Sequence, residues 1–150
     1  MSGPKNRTLT MALYIVTVLY MVLIFYLSSL HNIQQPGPLD DFPSVDKIEH
    51  ASEYFVLGLL LALCFQRTPS IGPDWQSWGL VLLVGLTYAL SDEFHQSFVS
   101  GRSADLLDLL ADTAGISVGC LAGAWISNRS VDKAVLPSIP LKKGMTDSEE

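Results

Sequence analysis

The stretch TLTMALYIVTVLYMVLIFYLSSL, residues 8–30, decides the fold. No Lys, Arg, Asp or Glu occurs between Arg7 and Asp40. A membrane-spanning helix needs ~18–20 predominantly apolar residues, and a water-soluble helix of this length would need a solvated face that is missing here. The segment therefore reads as a membrane span. Lys5 and Arg7 precede it as they would a cleavable leader, but the apolar run to Leu27 is longer than a leader core of ~7–15 residues, and no small-x-small site follows. The expectation is a retained first helix.

The rest of the chain extends this pattern. Its 150 residues are 49% hydrophobic and 16% charged, enough for one domain. Pro36, Gly37 and Pro38 end the first helix. A second helix is expected from Asp46 to Gln66. A third runs from about Asp74 to His95, with Trp75 and Trp78 as interfacial anchors. The fourth runs from Ser103, a good N-cap, to Ser127. The expected fold is thus all-α: a polytopic membrane protein with a four-transmembrane-helix bundle. Its parts are an N-terminal arm over 1–7, a membrane domain over 8–128 and a disordered tail over 129–150. Cys64 and Cys120 fall inside apolar helices and read as small core fillers.

Basic residues set the expected orientation. Lys5, Arg7, Arg67, Arg129, Lys133, Lys142 and Lys143 lie on the arm, the middle loop and the tail, whereas the other two connections hold only Lys47 and Arg102. By the positive-inside rule both termini are cytoplasmic, and the loops 31–45 and 96–102 face outward. The net charge of −6 argues against a nucleic-acid partner. The lipid bilayer is the expected partner instead.

The ionisable residues gather toward the outward ends. Asp40, Asp41, Asp46, Glu49 and Glu53 form one group, and Asp92, Glu93, Asp105, Asp108 and Asp112 the other, with His50 and His95 beside them. Charge at membrane depth is costly and usually faces a protein interior or a wet cavity. Helical phase puts Asp46, His50, Glu53 and Leu57 on one stripe of the second helix. It puts Tyr88, Asp92 and His95 together on the third, and so sets Asp92 rather than Glu93 toward the cavity. On the fourth, Asp105, Asp108 and Asp112 share a face with Gly115, Gly119 and Gly123. That small-xxx-small ridge lets another helix approach closely, either within the chain or in a helix-mediated oligomer. Asp40 and Asp41 read as loop charges, and Asp105 also suits a helix N-terminus.

Two blocks carry a family resemblance. Residues 46–58, DKIEHASEYFVLG, and residues 92–115, DEFHQSFVSGRSADLLDLLADTAG, resemble the signatures of the VanZ-like membrane proteins in order and spacing. The resemblance departs at Ser100, where the family often has Pro, and at Asp112, where Asn is usual. It implies a multi-pass protein of the prokaryotic cytoplasmic membrane with an envelope role. The family takes its name from a protein linked to glycopeptide resistance.

Three functions stay open from sequence. One is an envelope-associated binding or accessory protein that recognises a headgroup, a lipopeptide or a divalent cation. Asp46, Lys47, Gln96, Arg102 and Asp112 are its candidate binding residues, with Arg102 on a phosphate or carboxylate and Asp92 and Asp108 either orienting Arg102 or binding the cation. Another is a membrane hydrolase or transferase on a lipid-linked substrate, metal-assisted or not, with His50, Asp92, Glu93 and Asp108 as candidate catalytic groups. The last is a proton-coupled transporter subunit using Glu53 and Asp112.

Overall fold

Proline opens two of the four helices: α1 (Pro4–Ser29) and α2 (Pro43–Gln66) both begin on a residue whose missing N–H is harmless in the first turn. They are followed by α3 (Trp75–Gln96) and α4 (Leu106–Val135). The computed structural model describes residues 4–30, 43–68, 70–71, 75–102 and 104–135. Every regular element among these is helical. Most of the expected 31–45 loop, including Asp40 and Asp41, lies outside the described residues, as do Ser103 and residues 136–150.

α1 and α2 begin earlier than the sequence reading, at Pro4 rather than Thr8 and at Pro43 rather than Asp46, and both ends of α4 differ from it. α4 starts at Leu106, and Asp105 caps it: the Asp105 carboxylate accepts the Leu107 N–H at 2.9 Å. A short acceptor side chain placed two residues ahead of a free helix N–H is sufficient for this. At its other end α4 continues to Val135, into the segment read as tail, because no proline interrupts it before Pro137.

Arg7–Ser29, Asp46–Gln66 and Leu106–Ser127 are each long and apolar enough to cross a membrane. α3 has comparable length at 22 residues, but Gln76 and Ser77 at one end and Ser91, Asp92 and Glu93 toward the other leave it a shorter apolar centre. The chain is a multi-pass integral membrane protein built as a four-helix bundle. Trp75 and Trp78 are both exposed at one end of α3, as interfacial anchors would be.

α2 and α4 form the centre. α3 packs against both, while α1 packs against α2 and α3 only. Glycine explains the closeness of the central pair. A Cβ added at Gly115 would strike the backbone of Ala51 and Phe55, and one at Gly119 the backbone of Phe55 and Leu59. Gly58 of α2 returns the contact against the Ile116 backbone. The ridge anticipated on α4 is therefore occupied by α2 of the same chain rather than left for a second copy. Around this seam the core is Tyr54, Leu57, Leu61 and Ala62 of α2, Val81 and Ala89 of α3, Ile116 and Cys120 of α4, and Ile24 of α1. Cys64 and Cys120 are free thiols and buried, as small fillers should be.

Candidate functional site: a buried histidine and carboxylate cluster

The polar cluster forms where the first turns of α2 and α4 meet the last turns of α1 and α3. On α2 the buried stripe runs His50, Tyr54, Leu57, Leu61, at spacings of three and four that keep one face inward. Glu53 is half-buried beside it, and Asp46 stays exposed at the rim. On α4, Asp108 and Asp112 are four residues apart and both buried. Asp112 lies six residues into the observed helix, about 9 Å along its axis. That is shallower than a start at Ser103 implied.

Lys47 organises the outer layer. Its ammonium bridges Asp46 at 3.1 Å and Asp105 at 3.0 Å, and also pairs with the buried Asp108. The Leu107 N–H and the Lys47 ammonium hold the Asp105 carboxyl below the usual carboxylate range. Lys47 thus neutralises α4 as well as its neighbour Asp46.

The inner layer belongs to His50. Its Nδ1 lies 3.0 Å from Asp112 Oδ1, with both side chains buried. Glu93 approaches the same place from α3. One ligand atom from each of His50, Glu93 and Asp112 lies within 4.8 Å of the others. Glu93 also accepts the Asp105 N–H at 2.9 Å, tying α3 to the start of α4.

A third strand of polar contacts runs along α3. Ser28 of α1 donates to Asp92 at 2.6 Å, within the range of hydroxyl-to-carboxylate bonds. Gln96 donates to the other oxygen of Asp92 at 3.0 Å. Its carbonyl in turn receives Arg102 at 3.3 Å. Gly101, with φ of 84°, supplies the left-handed turn that brings Arg102 back over the end of α3. The Arg102 Nε is buried without a hydrogen-bond partner among the described residues.

Several sequence expectations change here. Asp92 and Glu93 are both buried, because they straddle the line along which α3 meets its neighbours. Tyr88, Asp92 and His95 do share a stripe, but it faces α1: Tyr88 donates to the Met21 carbonyl, Asp92 accepts from Ser28, and the His95 ring lies against Phe25 with centroids 4.3 Å apart. Arg102 is linked to Asp92 through Gln96, and Asp108 engages Lys47 rather than the guanidinium. Sequence reasoning also missed Ser28 and Tyr54. Ser28 lies at the end of an apolar run, where nothing in the sequence sets it apart from Ser29. Tyr54 could have been found by phase, since it follows His50 by four residues.

Around this end eight carboxylates (Asp46, Glu49, Glu53, Asp92, Glu93, Asp105, Asp108 and Asp112) face two permanent cations, Lys47 and Arg102. Such a site attracts cations, and an anion enters only at Arg102 or across a bound cation. A family model described as VanZ/LLP1 matches residues 11–127, a range that contains every residue of the cluster. Comparison with curated proteins and with solved structures returns no match.

Proposed function

This chain belongs to the VanZ/LLP1 family, and from that premise we propose that it is an envelope-associated binding protein for phosphate-bearing lipid headgroups. The single observation that carries this is Arg102. Among the described residues its guanidinium has a hydrogen bond to Gln96 at 3.3 Å, and its buried Nε has no partner. A guanidinium with unfilled donors fits a phosphate bidentately, while the carboxylates beside it suit the positive part of the same headgroup. The basic residues of the arm, middle loop and tail support a placement of this end on the outer face of the cytoplasmic membrane, with both termini inside. A reporter fused after Gly101 tests that orientation, and a cytoplasmic signal overturns it.

Binding is tested by native mass spectrometry of the full chain purified in mild detergent. Wild type retains phospholipid, Arg102→Ala loses it, and Arg102→Lys retains part through charge alone. Equal retention by wild type and Arg102→Ala overturns the reading.

The pairing of His50 with Asp112 beside Glu93 favours a second reading, a hydrolase or transferase acting on the same headgroup. In that case His50 is the general base and Asp112 sets its tautomer. Release of headgroup from phospholipid nanodiscs, abolished in His50→Gln, separates catalysis from binding.

A further inference from the structure

We infer that His50, Glu93 and Asp112 form a binding site for one divalent transition-metal cation, of the Mn2+ or Zn2+ class, inside the bundle. The trio brings one imidazole and two carboxylates from three different helices to within 4.8 Å of one another. Two ligands bound at about 2.1 Å in tetrahedral geometry lie roughly 3.4 Å apart. The hydrogen bond between His50 Nδ1 and Asp112 Oδ1 holds these atoms at 3.0 Å, so an ion that replaces its proton needs only a small separation of the pair.

Unfilled valences point the same way. Asp112 Oδ2 and Glu93 Oε1 are buried without a hydrogen-bond partner among the described residues. The independent sign is Tyr54. Its side chain is fully buried, its electrostatic neighbours include Asp92 and Asp112, and its hydroxyl has no partner either. A buried phenol costs free energy unless something accepts or donates to it. An ion held by the trio, with a water in an open coordination position, would meet that hydroxyl and the two free carboxylate oxygens.

Charge selects this trio over the other one available. Asp46, His50 and Asp108 also converge, but the Lys47 ammonium already lies against both Asp46 and Asp108. The outer trio thus carries its own cation. The inner trio has no such ammonium: its two carboxylates sum to −2, which a divalent ion cancels as it displaces the proton that His50 shares with Asp112. Mixed imidazole and carboxylate donors favour Mn2+ or Zn2+ over Ca2+, which prefers six or more oxygens.

The inference concerns the polar cluster assigned above to a headgroup but does not depend on that ligand. Metal binding that survives Arg102→Ala, and lipid retention that survives loss of the metal, keep the two failures distinct. The test uses the full chain in detergent, stripped with chelator and titrated with Mn2+ and separately with Zn2+. One equivalent binds, and Glu93→Gln and Asp112→Asn each weaken binding by at least roughly tenfold. Tyr54→Phe weakens it less and leaves the stoichiometry at one. Protection of Cys64 and Cys120 from a thiol reagent confirms that each variant is folded. A folded Glu93→Gln with wild-type affinity overturns the inference, as does the absence of saturable binding at millimolar metal. A readout that needs no variant is the electron-spin-echo spectrum of bound Mn2+, which carries a nitrogen coupling from His50. Bound Mn2+ without that coupling overturns the site as assigned.

Discussion

α1 and the α2–α4 pair answer the same apolar composition in opposite ways. Of the apolar window in α1, 11% is buried, against 39% in both α2 and α4. α1 presents Met11, Ile15, Leu19, Val22 and Tyr26 outward, and touches its neighbours along Thr17, Ile24 and Ser28. α2 and α4 instead pair backbone to backbone through glycine and bury His50, Asp108 and Asp112 beside that seam. Apolarity alone puts a helix in the membrane. It takes small residues and paired polar groups to put one helix against another there. Thr17 shows how lightly α1 is held: its hydroxyl bonds back to Leu13 at 2.8 Å and meets Cys64 Sγ of α2 at 3.3 Å.

The contrast can be broken most forcefully at His50. His50→Ala leaves the buried Asp112 carboxylate without its imidazole, an unpaired charge that costs about 3–5 kcal/mol. Thermal unfolding in detergent, followed by exposure of Cys64 and Cys120, measures the loss. An unchanged midpoint means that the layer contributes nothing to stability.

Next in size is the glycine seam. Gly119→Leu drives a side chain into the Phe55 backbone and destabilises by about 1–3 kcal/mol or more. Gly79→Ala is the control, since a Cβ there meets nothing within 4 Å. It is neutral or stabilising by up to about 1 kcal/mol. Equal effects at the two glycines would erase the distinction between seam and lipid face.

Ser28→Ala probes the bond by which α1 reaches Asp92. Interhelical bonds in membrane proteins average about 0.6 kcal/mol, so a loss of about 1 kcal/mol is expected in the same assay. The Asp105 cap has a smaller effect, being exposed and screened. Its carboxyl is held below the ordinary value by the Leu107 N–H and Lys47. The stabilisation is therefore present above the unfolded-state pKa and is lost as pH falls through the lower folded value. Asp105→Asn keeps the cap but not the ion pair, so its deficit against wild type at neutral pH disappears in acid. Smallest of all, Leu19→Ala on the outer face of α1 changes stability by at most about 0.5 kcal/mol. A large loss there would mean that α1 is packed after all.

The comparison also explains what could be read from the sequence. The uncharged run after Arg7 and the Gly115, Gly119, Gly123 spacing each encode one consequence, and the structure has both. Burial of His50, Asp108 and Asp112 was likewise legible, because a charged residue on the packing face has few other places to go. Partner choice was not. Phase places Asp92 and Glu93 about 100° apart, but burial of both depends on where α2 and α4 flank α3. That is a property of three helices together. For the same reason nothing local to Lys47 announces that it serves Asp105 and Asp108, and nothing local to His95 announces Phe25.

The pairing of Lys47 with Asp105 and of His50 with Asp112 has a consequence for biogenesis. These partners are 58 and 62 residues apart in the chain, with all of α3 between them. During synthesis α2 enters the bilayer carrying Lys47 and His50 before their α4 partners have left the ribosome. The polar end of α2 must wait at the interface, or in the insertion machinery, until α4 arrives. Completion of the cluster then marks the moment at which the chain is assembled rather than merely inserted, and a chain truncated before Asp105 would be left as a substrate for membrane quality control.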